Sequence, residues 1–155
     1  MENFKSGFVS LVGKTNVGKS TLLNAMLNEN LAITTSKPQT TRKIIKGIVN
    51  RPNSQIIFKD TPGIHKPKNK FGEFMIQEAT EAMGDVDVIL FLVNALDSEI
   101  GKSEQLILEK LEKQNKKVIL VINKIDIAKK ENILNLINQY KDLYNFASSV
   151  PVSAL

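Results

Sequence analysis

The sequence predicts a doubly wound α/β domain built on a parallel sheet, and three observations predict it. Short runs rich in β-branched residues alternate with helical patterns from one end of the 155-residue chain to the other. Two of those runs, VDVILFLV at 86–93 and KVILVI at 117–122, are apolar almost throughout, as strands are when both faces of a sheet are covered. A glycine-bearing stretch, GKTNVGKST at 13–21, stands between the first strand pattern and the first helical one.

The elements follow in order. GFVSLV at 7–12 reads as a strand, and residues 19–28 as a helix with Leu22, Leu23, Met26 and Leu27 on one face. IIKGIV at 44–49 and SQIIFK at 54–59 flank Asn50-Arg51-Pro52-Asn53, turn chemistry that predicts an antiparallel hairpin. A helical pattern at 71–83 leads to the strand 86–93. Residues 103–114 then read as a helix carrying Leu106, Ile107 and Leu111, followed by the strand 117–122. A last helix at 132–144, carrying Ile133, Leu136, Ile137 and Tyr140, precedes the short strand VPV at 150–152. The polar stretches 34–43 and 65–70, rich in Lys, Thr or Pro, are expected to be disordered. A ligand of such a domain is expected at the carboxyl ends of the strands.

Composition bounds the partners. At 42% hydrophobic and 24% charged, the chain has material for one core and hardly two. No apolar stretch follows a basic start, and no run approaches the ~20 residues that cross a bilayer. Neither a secretory signal nor a membrane span is expected, and a cytoplasmic location is. The absence of cysteine excludes disulfides and thiolate metal sites. The net charge of +5 favours acidic partners, but the lysines are scattered, and a solvated face is the commoner meaning of such a pattern.

GKTNVGKS matches G-x-x-x-x-G-K-[ST] in the context that gives it meaning, after a strand and opening a helix. Glycines let the backbone curl so that successive N–H groups converge on phosphates at the positive end of the helix. The stretch Gly13, Lys14, Thr15, Asn16, Val17, Gly18, Lys19, Ser20 and Thr21 is therefore a candidate phosphate site. Lys19 reaches for the β and γ phosphates, and the Ser20 hydroxyl is a candidate ligand of Mg²⁺. The competing reading is that Gly13 and Gly18 merely make a turn.

The base is addressed by Asn123-Lys124-Ile125-Asp126, which follows the buried strand 117–122. A carboxylate at Asp126 accepts two hydrogen bonds from the N1 and N2 edge of guanine. Adenine offers an acceptor where guanine has a donor, and would leave that carboxylate unpaired. The Lys124 stem can lie along the purine, and Asn123 can tie this loop to the phosphate loop. Ser153 and Ala154 fall at the same edge, where the Ala154 N–H can meet guanine O6. Asp60-Thr61-Pro62-Gly63 closes the strand 54–59 as D-x-x-G. Asp60 can hold a Mg²⁺-bound water and the Gly63 N–H can sense a γ phosphate, ordering the adjoining loop in the triphosphate state. In the loop TTSKPQTTR at 34–42 a threonine completes the Mg²⁺ shell, with Thr41 preferred over Thr40.

GKTNVGKST, SKPQTTR, DTPGIHKPK, NKID and PVSAL together resemble the GTPase domain of the Era family, bacterial members of the translation-factor-related GTPases. The likeness runs over essentially the whole chain, and KPQTTR with DTPGIHKPK is its most distinctive wording. It implies a P-loop GTPase domain: a mostly parallel six-stranded sheet with one antiparallel hairpin strand, helices on both faces, and the last helix missing before Leu155. It implies a Mg²⁺-dependent GTPase, binding GTP and GDP, that acts as a switch in maturation of the small ribosomal subunit. In that family a KH domain follows and binds 16S ribosomal RNA, so the ribosomal partner is expected mainly through a domain absent from 1–155, and DNA is not expected. The resemblance leaves two places open for the full-length protein, the cytoplasm and a peripheral position at the inner face of the cell membrane. Made alone, the piece is expected to be marginally stable or to self-associate, because one face of its sheet lacks a helix. Rival readings are a nucleotide-gated RNA-binding module with incidental hydrolysis, and the GTPase head of an iron transporter or tRNA-modifying enzyme.

Hydrolysis lacks the usual assistant. In Ras-like enzymes a glutamine after D-x-x-G orients the attacking water, whereas Ile64 stands there in this chain. His65, the single histidine, is adjacent, but a loop histidine is more often solvated than catalytic. Asn16 is the better candidate, since in related GTPases an asparagine at this place accompanies K⁺, which supplies positive charge between the phosphates. The candidate catalytic residues are thus Asn16, Lys19, Thr41 and Gly63, and the candidate metal ligands Ser20, Thr41 and Asp60.

Overall fold

The computed structural model describes residues 3–14, 17–29, 45–59, 84 and 86–154. Six strands form one sheet: β1 (Lys5–Val12), β2 (Ile45–Arg51), β3 (Ser54–Lys59), β4 (Val88–Asn94), β5 (Lys117–Asn123) and β6 (Ser148–Pro151). The order across the sheet is β2-β3-β1-β4-β5-β6. All neighbours are parallel except β2 and β3, which pair antiparallel through the turn at Pro52 and Asn53. The expected hairpin and the expected parallel core are both present.

The described helices are α1 (Lys19–Glu29), α2 (Lys102–Gln114) and α3 (Lys130–Leu143), with a 3₁₀ turn at Ile125–Ile127. They lie on both faces of the sheet, and β4 shows why. Its side chains alternate: Ile89, Phe91 and Val93 join Ile107, Leu111, Leu136 and Tyr140 beneath α2 and α3. Leu90 faces the opposite way, towards Leu23 and Leu27 of α1, and Leu92 meets Val17 and Val121 there. A strand covered on both sides can be apolar throughout, which is how 86–93 read. Tyr140 meets Phe91 edge to face, ring centres 5.8 Å apart, and closes the α3 side of that core. On the α1 side, Val121 is buried while its β6 neighbour Val150 is 40% exposed.

Where element ends differ from the sequence reading, pairing decides. β4 begins at Val88 rather than at Val86, because the Asp87 carboxylate turns back to accept the Phe8 N–H at 2.8 Å and its own N–H goes to the Phe8 carbonyl. β6 is drawn from the polar residues Ser148 and Ser149 as well, through their register with Ile119 and Leu120 of β5, and ends at Pro151. The helix read at 71–83 and the polar stretches 34–43 and 65–70 lie outside the described residues.

The order reverses at β1, which has β3 on one side and β4 on the other. In an open α/β sheet that reversal opens a crevice at the carboxyl end of the strand. The carboxyl end of β1 is Val12, and Gly13 follows.

Candidate nucleotide-binding site

Gly13 leaves β1 against the neighbouring strand so closely that a Cβ there would lie 2.7 Å from the Leu92 carbonyl oxygen and 3.0 Å from Val17 Cγ2. Only glycine fits such an approach. Gly18, at the other end of the loop, has φ of 100°, a left-handed conformation, and a Cβ on it would collide with the Asn123 carboxamide. Both glycines of the motif are therefore required by geometry. The helix α1 begins at once with Lys19, whose ammonium crosses the loop to donate to the Gly13 carbonyl at 2.5 Å.

Asn123, at the end of β5, is 2% exposed and uses both ends of its carboxamide. Its Nδ2 donates to the Val17 carbonyl at 2.9 Å, and its Oδ1 accepts the Ala154 N–H at 3.1 Å. The side chain thus joins the phosphate loop, the end of β5 and the segment after β6. Lys124 follows in a left-handed conformation, φ 70°, which turns the chain into the 3₁₀ turn and presents Asp126 on the exposed rim. Ser153 Oγ donates to Asp126 Oδ1 at 2.9 Å, and the Ile125 N–H reaches the Val152 carbonyl at 3.3 Å. One carboxylate oxygen of Asp126 is oriented in this way while the group stays open to solvent.

The structure therefore brings together Gly13, Lys14, Val17, Gly18, Lys19, Ser20, Thr21, Asn123, Lys124, Asp126, Ser153 and Ala154 along one edge of the sheet. Two of them have partners that the sequence did not announce. The Ala154 N–H, read as a donor for the base, is engaged by Asn123, and the Lys14 side chain turns away to Asp97 and Glu104, at 3.2 Å from each. Neither acidic residue was singled out from the sequence, since nothing local to them signals a partner more than eighty residues upstream. Thr15, Asn16, Thr40, Thr41, Asp60, Thr61, Pro62, Gly63, Ile64 and His65 lie outside the described residues. Among the described residues no group of three or more His, Cys, Asp or Glu side chains is placed to hold a metal. Ser20, exposed on the first turn of α1, offers one oxygen donor, the type that suits a hard cation.

Gly18→Ala is expected to destabilise the domain by about 2–5 kcal/mol, adding left-handed strain to the loss of the Asn123 bond. Thermal unfolding checks this, with the midpoint expected to fall by roughly 5–15 °C.

A crevice at a sheet reversal, with the two motif glycines and a helix N-terminus at its edge, defines a P-loop nucleotide-binding domain. The chain belongs to the 50S ribosome-binding GTPase family, whose pattern it matches over residues 8–124. It is similar to GTPase Era of Clostridium kluyveri, 49% identical over 151 residues that cover 97% of this chain and 51% of that protein. Among solved structures it is similar to Era in complex with MgGDPNP and nucleotides 1506–1542 of 16S ribosomal RNA. There the identity is 42% and the TM-score 0.74, over 99% of this chain and 52% of that one. An Aquifex aeolicus Era variant bound to GDP·AlF4⁻ gives 42% identity and a TM-score of 0.73, over 98% and 52%. The chain spans about half the length of the curated relatives it matches.

Proposed function

We propose that the chain is the GTP-binding and GTP-hydrolysing domain of an Era-type molecular switch acting in assembly of the small ribosomal subunit. The observation that carries this reading is the Asn123 carboxamide, bonded to Val17 on one side and Ala154 on the other. It sets the phosphate loop and the base-reading turn at one spacing, so that a single guanosine nucleotide spans both. Lys19 meets the phosphates and Asp126 the guanine edge, with Ser153 fixing the carboxylate's orientation. Loaded relatives support the nucleotide: one Era structure holds MgGDPNP and another GDP·AlF4⁻, a mimic of transferring phosphate.

Mg²⁺ would be held by Ser20 with Thr41 and Asp60, and when bound it neutralises charge on the β and γ phosphates. Thr41 and Gly63 would report the γ phosphate from the two switch segments. Asn16 would ligate K⁺ and offset transition-state charge in place of an arginine. The ribosomal partner would be reached mainly through the KH domain of the rest of the protein, and the switch would work in the cytoplasm. Among the described residues no helix is long and apolar enough to cross a membrane.

The test is hydrolysis of GTP and ATP with Mg²⁺, in KCl and in NaCl. GTP alone is expected to be cleaved, slowly, at roughly 10⁻⁴ to 10⁻² s⁻¹ without stimulation, as in unassisted GTPases. The rate in KCl is expected to exceed that in NaCl. Equal rates in the two salts would remove K⁺ from the reading, and equal cleavage of ATP would remove the guanine assignment.

A further inference from the structure

Next to the phosphate loop lies a charge cluster whose acidic members are no part of the loop motif. Lys14 Nζ sits 3.2 Å from Asp97 Oδ2 and 3.2 Å from Glu104 Oε2. Glu104, on the first turn of α2, is 3% exposed, and its Oε2 faces the Lys14 ammonium. A carboxylate so buried is costly unless a counter-charge stands beside it, and Lys14 is that charge. Gly101 lies close against the acid: a Cβ there would come within 2.8 Å of Glu104 Oε1. Asp97 is placed from the far side, where Asn132 of α3 donates to the Ala95 carbonyl at 2.5 Å and the Asp97 carbonyl at 3.1 Å.

The two carboxylates settle the charge state. Burial alone would lower the pKa of Lys14, but Glu104 and Asp97 outweigh it and raise the pKa above its ordinary value, so the ammonium persists throughout the physiological range. Tyr140 is pushed up as well, by burial first and then by the same carboxylates, and remains a neutral phenol.

The position of Lys14 gives the cluster its meaning. It adjoins Gly13, whose backbone is pressed against the Leu92 carbonyl on one side and takes the Lys19 ammonium on the other. The entry of the loop is therefore anchored from behind by Lys14 and spanned in front by Lys19. We propose that Asp97 and Glu104 are positioning residues for the nucleotide: by holding Lys14 they keep the loop entry in the curled form that receives phosphate. This rests on the reading of the loop as the GTP site. Without Lys14 the entry loses its anchor and a bare carboxylate stands behind the bound phosphates, so nucleotide leaves sooner.

The experiment follows release of a fluorescent GDP and the ³¹P signals of bound GDP, in the unaltered chain and in Lys14→Met, Lys14→Arg and Asp97→Asn. Release is expected to quicken about tenfold or more in Lys14→Met, as for truncation of a buried charge pair, and about threefold in Asp97→Asn. Lys14→Arg is expected to stay within about twofold of the unaltered chain, since it keeps the charge. The β-phosphate signal is expected to move in Lys14→Met, a change that a merely structural lysine would not produce. A folded Lys14→Met with unaltered release and unmoved signals overturns the proposal. Should Lys14→Met not fold, Asp97→Asn, which removes only the more exposed partner, decides by the same two measurements. Failure of the unaltered chain to bind GDP would overturn the function proposed above instead.

Discussion

Lys19→Ala is expected to abolish tight binding of GTP and GDP. The ammonium lies inside the loop, 2.5 Å from the Gly13 carbonyl, and it is the side chain that can swing from that oxygen onto the phosphates. Removing one member of a desolvated charge pair costs about 3–5 kcal/mol, which is a loss of roughly 10²-fold to a few thousandfold in affinity. The fold is expected to survive, since Lys19 is only partly buried on α1 and belongs to no core cluster. Titration calorimetry of the variant with GDP and Mg²⁺ provides the check, and an affinity within threefold of the unaltered chain would show that phosphate is held elsewhere.

Asp126→Asn is expected to weaken GTP by about 10²- to 10⁴-fold, the effect of exchanging two charge-assisted hydrogen bonds for mismatched donors. It is also expected to improve binding of xanthosine triphosphate, because xanthine presents a carbonyl where guanine has its amino group. The geometry sharpens this expectation. Ser153 donates to Asp126 Oδ1, so in the variant the amide keeps its oxygen towards Ser153 and turns its NH₂ to the base. Competition of the two triphosphates for a fluorescent nucleotide reads the switch, and GTP affinity unchanged by the substitution is the outcome that refutes the base contact.

Much of this architecture was legible in the sequence because its signals are local. The near-continuous apolar runs of β4 and β5 mark strands covered on both sides, and the turn at Pro52 and Asn53 marks the antiparallel pair. The placement of GKTNVGKS between a strand and a helix, and of NKID after a strand, sufficed to bring both to one rim. Features set by distant partners were not legible. Ser148 and Ser149 have no strand pattern of their own and are recruited by pairing with β5. The association of Lys14 with Asp97 and Glu104 joins residues from the loop after β1, the loop after β4 and the start of α2, so no window of sequence contains it. The 3₁₀ turn around Asp126 likewise depends on Val152 and Ser153, which anchor it from beyond α3.

The double engagement of Asn123 bears on how the domain breathes. A carboxamide that closes on Val17 with one end and on Ala154 with the other makes two rim loops a single unit of local unfolding. Opening either half breaks a bond to the same carboxamide and loosens the support of the other, so amide exchange in both segments is expected to slow together when the cleft is filled.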